Sequence, residues 1–388
     1  MLACTRTESG SPAHTYDAFE GDAYPSLRPT FAAPGAFALV PNSGSDTITF
    51  LDLAGGSALG NAPSGRNPFV LDSPHDIATD RARGFAYVAL AYPPSSDTGQ
   101  HAHGTSGRPG WVQKIALADL HPVGEVSVDA NPGELALSDD GTRLVVSHFD
   151  LKSASTPGLP VEKRRATLAL IDPSQISSEG SPDPDRLLVC VAPHGIALSR
   201  PDGKRAYVSC YGEDVVAIVN LEDTHAPVVR VPVGSSPTTS ETPTYGPYTA
   251  VLSPSGKRLA IGSSASKDVR FLDTDSGAME TLVIPTLGAA FVVGWSDDGT
   301  RVYVPTQAAD ALQIFDATTG AQLAARPLGG TTCTRPHQAK LASGTLYVVC
   351  EGDGASAGVV LGLDPTSLDT TVTFAVGRAP GRASFVVP

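Results

Sequence analysis

Charged residues make up only 17% of this 388-residue chain and aromatic residues only 6%, with two tryptophans and two methionines. So few charges exclude a coiled coil or a long solvated helical bundle. No apolar run approaches the roughly 18 residues of a membrane-spanning helix. The sequence has no glycine-rich loop that would cradle phosphate ahead of a helix. It also lacks Cys-x-x-Cys-His for covalent haem and Gly-x-Ser-x-Gly for a serine hydrolase. Basic residues are in deficit. There are 27 Lys and Arg against 40 Asp and Glu, a net charge of −13. A nucleic acid would be repelled over most of such a surface and is excluded as a partner. The basic run Lys163-Arg164-Arg165 is short and reads as a solvated loop edge.

What the chain does contain is turn-formers, 39 glycines and 33 prolines, alongside 41% hydrophobic residues, enough for a core. Its length fits two or three ordinary domains or one large all-β domain. The opening Met1-Leu2-Ala3-Cys4 looks like the end of a bacterial lipoprotein signal, without the basic and apolar regions that should precede it. A lipid anchor at Cys4 is the expectation, and the only route by which the chain would meet a membrane. The alternative is a chance cysteine near a chain end. Residues 5–33 are rich in Ser, Pro, Thr, Glu and Asp and read as a flexible tether, so 1–33 is set apart from a domain over 34–388.

The other four cysteines stand in two similar segments. Cys190-Val-Ala-Pro-His194 is followed by Tyr207-Val-Ser-Cys210, and Cys333-Thr-Arg-Pro-His337 by Tyr347-Val-Val-Cys350. Each segment reads as one β-hairpin with a cysteine beside each open end, close enough to bridge. The predicted pairs are Cys190–Cys210 and Cys333–Cys350, with buried free thiols as the alternative. Disulfides would place the chain in an oxidising compartment, periplasmic or extracellular.

Internal similarity decides the fold. Ser-x-Asp-Gly-x-Arg turns, or close variants, recur at 138–143, 199–205, 253–258 and 296–301, each between two apolar alternating runs. A third run follows, often opened and closed by Asp or Asn, as in Asp214-Val-Val-Ala-Ile-Val-Asn220 and Asp310-Ala-Leu-Gln-Ile-Phe-Asp316. A fourth often ends Val-Gly, as at 233–234 and 376–377. Four strands per unit, repeating at roughly 40–60 residues, is the signature of a β-propeller blade. First strands start near 74, 132, 193, 247, 290, 336 and 380, which makes seven blades. The expected architecture is all-β, a seven-bladed propeller closed by the C-terminal strand joining the N-terminal blade. Closure removes two sheet edges that would otherwise be free to aggregate.

The Ser-x-Asp-Gly-x-Arg turns, Tyr207-Val-Ser209, Leu39-Val-Pro-Asn42-Ser-Gly-Ser-Asp46 and the Val-Gly-x-x-Pro junction at 376–380 resemble the YVTN-type propeller repeat. More loosely, the chain resembles phosphogluconolactonase-type propellers. The resemblance spans 36–388 and implies the fold; propellers host unrelated activities, so it implies little about function.

Long segments at 60–73, 91–110, 151–165 and 235–246 gather on the face where first strands begin, which suggests a binding surface. The other face has mostly tight turns. Aligning the blades puts His75, His194 and His337 at one position, directly after the residue that starts the inner strand. Gly133, Tyr248, Phe291 and Gly381 hold it in the other blades. His148 falls at a second-strand end on the same face, and His101 and His103 in the long 91–110 segment. Imidazole is a preferred ligand of copper and zinc. A ring of inner-strand histidines is similar to the way the nitrous oxide reductase propeller holds copper, although this chain offers fewer of them. Non-adjacent blades would set the three imidazoles roughly 8–12 Å apart, too far for one ion at bonds of ~2.0–2.1 Å unless a loop ligand bridges them. Structural histidines are the other reading. Asp76, Glu134, Arg335, Gln338, Lys340 and Arg382 complete the polar set near the channel mouth. Asp52, Asp172, Asp273, Asp316 and Asp364 recur blade after blade, which argues for turn chemistry.

These observations lead to an exported monomer acting as a binding or scaffold module. Its loop-rich face would take a small molecule or an envelope protein through His75, Asp76, His194, Tyr248, Arg335, His337 and Arg382. The competing expectation is a histidine-dependent site at the channel mouth. It would either bind copper or zinc through His75, His194, His337, His101, His103 and His148, or hydrolyse a lactone. The lactonase-type resemblance supports the latter, with no residue set diagnostic of it.

Overall fold

The computed structural model describes residues 35–66, 71–91, 107–235, 242–329 and 333–388. Cys4, His101 and His103, and with them the expected anchor and loop ligands, lie outside the described residues.

Seven antiparallel sheets form the structure. Blade 1 combines Phe37–Asn42, Thr47–Asp52 and Ser57–Pro63 with the last strand of the chain, Ser384–Val386, as its innermost member. Phe37 faces Val386 and Leu39 faces Ser384, so the tail closes the ring on the first blade as expected. Blades 2 to 7 begin with the inner strands Pro74–Asp80, Pro132–Leu137, Pro193–Leu198, Pro247–Leu252, Ala289–Ala290 and Pro336–Ala342. In blade 6 the inner strand is interrupted after Ala290 and resumes at Gly294–Trp295. The core lies between blades. Val145 and Leu168 of blade 3, for example, cluster with Ala206, Val208 and Ala217 of blade 4. Among the described residues no helix is long and apolar enough to cross a membrane.

The repeat residues have local jobs. Ser138 Oγ donates to Asp140, which in turn accepts the Thr142 N–H, and Ser296, Asp298 and Thr300 repeat that arrangement. The following arginines tie neighbouring blades. Arg143 donates to the Gly203 carbonyl and Arg258 to the Ala317 carbonyl, each at 2.9 Å. Asp52, Asp172, Asp273, Asp316 and Asp364 accept backbone N–H groups two or three residues ahead. Turn chemistry accounts for them.

In six of the seven blades the inner strand is entered through a proline and aimed by the residue before it; blade 6, entered at Ala289, is the exception. Ser73, Asn131, Ala192, Arg335 and Ala379 hold φ between 47° and 53°, and Gly246 holds 59°. A left-handed residue at this point is uncommon outside glycine. Here it turns the chain from one blade into the next and presents its carbonyl to the end of the second strand. Phe149 N–H donates to Asn131, Tyr211 N–H to Ala192 and Glu351 N–H to Arg335. The same turn therefore places the following position, occupied by His75, His194 and His337, at the channel.

Both predicted disulfides are present. One placement differs from expectation. Cys190 ends Asp185–Val191, the outer strand of blade 3, whereas Cys210 ends the second strand of blade 4. This bridge therefore joins two blades and does not merely staple a hairpin. Two disulfides in one chain fit an oxidising compartment. Their sequence separations of 20 and 17 residues set the expected contribution. Loop-closure entropy for such lengths is about 3 kcal/mol each. Replacing Cys190 and Cys210 by alanine should lower the guanidinium unfolding free energy by about that amount. A change below about 1 kcal/mol would show that the reduced chain is already constrained at this junction.

Candidate functional site

Inner strands converge on a central channel, and the residue after each starting position turns into it at the loop-rich end. His75, His194, Tyr248, Phe291 and His337 occupy that level and are between 1 and 9% exposed. Their rings run around the axis in contact. His75 meets His194 edge-on at 5.9 Å between centroids, and His194 stacks on Tyr248 at 3.8 Å. Tyr248 meets Phe291 at 5.0 Å and Phe291 meets His337 at 5.5 Å. Phe149 covers His194 at 4.9 Å. His75 and His194, from non-adjacent blades, thus stand closer than the roughly 8–12 Å expected. Blade 3 contributes Gly133 between His75 and His194; a Cβ there would stand 2.8 Å from Ser147 Oγ and 3.4 Å from His194 Cδ2. Blade 1 contributes Gly381, where a Cβ would sit 2.0 Å from the His75 carbonyl. Gly133 leaves room for the His194 ring, and Gly381 for the backbone of His75.

Burial holds His75 and His337 in the neutral form. Burial, followed by the neighbouring His337 and Arg382, pushes His75 down to about 3. Burial, Arg382 and Arg335 do the same to His337, also to about 3. His194 Nδ1 donates to the Tyr248 carbonyl at 3.1 Å. His337 Nδ1 lies 2.9 Å from Glu351 Oε1, and Arg335 Nε lies 3.5 Å from Glu351 Oε2. His148 stands apart. Its Nδ1 is 2.9 Å from the Thr167 carbonyl and its Nε2 accepts from Asp129 N–H, so it fastens blade 3 to blade 2. Among the described residues no three His, Cys, Asp or Glu side chains are disposed to hold a metal ion.

One level deeper, three charged groups from three blades meet. Arg382 Nη1 donates to Glu134 Oε2 at 2.6 Å and lies 3.8 Å from Asp76 Oδ2. Asp76 also accepts from Leu135 N–H at 2.6 Å and Ile77 N–H at 2.9 Å, and Glu134 from Ile196 N–H at 3.2 Å. Glu134 Oε1 has no hydrogen-bond partner among the described residues and lies 3.8 Å from His194 Nδ1. Burial raises both acids, Asp76 to about 6 and Glu134 to about 7, against the pull of Arg382. Their two charges hold Arg382 above its ordinary value although burial opposes it.

Below this cluster the channel is open. A cavity of about 520 Å³ runs from Arg382 and Gln338 past Ala136, Ala197, Trp295 and Lys340 to the tight-turn residues Asp139, Arg200 and Asp297. The cavity therefore opens on the face opposite to the long loops. None of the three ring histidines lines it; Arg382 does. Within the expected site, the structure joins His75, His194, Tyr248 and His337 in the ring and Asp76 with Arg382 beneath it. Arg335 touches only the His337–Glu351 edge. Glu351, Phe149 and Tyr211 were not anticipated. Each is the residue just beyond a second strand, so aligning those ends as well as the inner-strand starts would have found them.

No family model and no curated relative matches this sequence. Solved structures do. A candidate 6-phosphogluconolactonase from Bacteroides uniformis superposes with a TM-score of 0.65 at 14% identity, covering 91% of this chain and 100% of its own. A periplasmic gluconolactonase from Pseudomonas aeruginosa gives 0.66 at 17%, covering 91% and 99%. Apo AztD from Citrobacter koseri gives 0.54 at 15%, covering 90% and 98%. At these identities the likeness shows the fold alone, a seven-bladed propeller.

Proposed function

We propose that this chain is an exported propeller of YVTN type that binds a small polar molecule in its central channel, with Arg382 as the anchor. The observation that carries this reading is the cavity of about 520 Å³ ending on a guanidinium already fixed by two buried carboxylates. Pockets of this size with a few convergent polar groups are the usual setting for small ligands. The binding role expected from the sequence is kept; its seat moves from the loop-rich face to the channel. Ligand-observed NMR with neutral and acidic sugar derivatives is the test. Transfer of saturation to at least one of them, abolished when Ala197→Trp fills the channel wall, supports the reading. No transfer to any of them overturns it.

A second reading, lactone hydrolysis, is favoured by Glu134. A carboxyl held near neutrality suits a general base and a guanidinium suits a developing oxyanion; because Glu134 lies behind Arg382, outside the cavity lining, this reading requires their bond to open when substrate binds. Two of the similar structures carry gluconolactonase names. Base uptake in a pH-stat with D-glucono-1,5-lactone, lost in Glu134→Gln, is the expected result. A rate equal to spontaneous hydrolysis removes this reading and leaves binding intact.

A further inference from the structure

The inner part of the channel runs against the charge of the rest of the protein. The chain carries −13 overall, yet the cavity holds its two acidic lining residues, Asp139 and Asp297, at the rim beside Arg200, while Lys340 midway and Arg382 at the floor are its inner charges. Arg200 has Asp139 at 3.7 Å. Arg382 spends only Nη1 on Glu134 and Asp76, and its side chain remains 23% exposed. Among the described residues its Nε and Nη2 donate to nothing. Lys340 has neither an ion pair nor a hydrogen bond among the described residues. Burial, with Arg200 and Arg382 adding repulsion against a smaller attraction from Asp297, pulls its ammonium below the usual lysine value. The two carboxylates at the floor sit against Arg382 Nη1 and backbone N–H groups, are at most 2% exposed, and lie outside the lining, so they hold the far edge of the guanidinium and leave Nε and Nη2 to the cavity.

We infer that the channel ligand is a small organic acid, its carboxylate seated between the Lys340 ammonium and the free edge of Arg382, entering from the tight-turn face. This rests on the binding reading above and adds the ligand's chemical class. A carboxylate offers two acceptor oxygens. One matches the Nε–Nη2 edge of a guanidinium whose other side is fixed, and the other meets a mobile ammonium. A cationic lining behind apolar walls raises the local concentration of anions even on an acidic protein. Ala136, Ala197 and Trp295 leave room for the remainder of the acid along one wall.

Isothermal titration of the full chain with D-gluconate, D-glucose and sodium sulfate tests this. D-gluconate is expected to bind, and Lys340→Gln should weaken it by about tenfold or more, the worth of one hydrogen bond between charged groups. Lys340→Arg should stay within about threefold of the parent, and the melting temperature of ligand-free Lys340→Gln should be unchanged, as for a side chain without a partner. Binding of D-glucose but not of D-gluconate overturns the organic-acid assignment and leaves channel binding standing. Binding of sulfate without D-gluconate also overturns it, in favour of an inorganic anion. Equal D-gluconate affinity in parent and Lys340→Gln removes Lys340 from the site. If none of the three binds, the assignment falls together with the reading it rests on.

Discussion

Arg382→Met is expected to unfold the propeller at pH 8 far more easily than at pH 5. The substitution keeps much of the side-chain volume and leaves Asp76 and Glu134 buried without their cation. Removing one partner from a buried ionic group costs about 3–5 kcal/mol. The pH dependence has a definite sign. In the unfolded chain both carboxyls ionise near pH 4. In the fold they are raised to about 6 and about 7, so the folded state keeps protons that the unfolded state has released. Stability contributed by this pair therefore falls as pH rises from about 4 to about 7. In the parent, Arg382 stops the decline there. Without it, both groups hold their protons to higher pH, and the decline continues at about 1.4 kcal/mol per pH unit for each. The buried histidines lowered to about 3 and about 4 favour stability as pH rises from about 3 to 6.5. Arg382 helps to lower His75 and His337, but burial is the larger cause for both and remains in the variant, so their contribution changes less than that of the carboxyls. Urea titrations of both proteins at pH 5 and pH 8 give the difference directly. Adding Glu134→Gln to the variant should remove about half of its pH-dependent part. A loss equal at the two pH values would mean that Arg382 does not govern these carboxyls.

Much of the architecture was legible because its determinants are local and repeated. A Ser-x-Asp-Gly turn closes on itself through Ser138 and Asp140, and does so again through Ser296 and Asp298, whatever surrounds it. The closing strand was legible from arithmetic alone, since a single unpaired first strand remained at the C-terminus and an incomplete blade at the N-terminus. The disulfide pairs followed from spacing. What spacing did not reveal is that Cys190 had already entered the preceding blade, because the hairpin pattern spans the junction between two sheets.

The site was legible as a set of residues and not as an arrangement. Equivalence placed His75, His194 and His337 at one level. The separation of His75 and His194, however, depends on what stands between them, and Gly133 removes the side chain that would have crowded the His194 ring. Burial is equally non-local. An imidazole at a strand start reads as a mouth residue, yet Phe149 and Tyr248, from different blades, cover His194. The channel is consequently filled at the loop-rich end and open at the other. Lys340 acquired its significance only from its place in the cavity lining, where no ion pair or side-chain hydrogen bond among the described residues holds its ammonium and Asp297 attracts it only from a distance.

Ending the chain at Ala383 should have an effect as large as breaking the floor cluster. Ser384–Val386 pairs with Phe37–Leu39, and its two apolar side chains point to different neighbours. Phe385 stacks on Tyr347 of blade 7 at 5.2 Å. Val386 joins Phe37, Leu39, Ile77 and Val88, a cluster shared by blades 1 and 2. Three residues thus connect the first blade to both sides of the ring. Withdrawing these half-buried side chains costs roughly 3 kcal/mol before any backbone pairing is counted. It also bares the inner edge of blade 1, a row of unpaired backbone groups on a strand buried throughout. The expected product melts well below the parent and runs as oligomers in size-exclusion chromatography with light scattering. Removing only Val387 and Pro388, which are exposed, should change neither property. A monomer with the parent melting temperature after the longer deletion would mean that blade 1 is stable as a three-stranded sheet. The ring would then be held by contacts between outer strands, and closure by the tail would be dispensable.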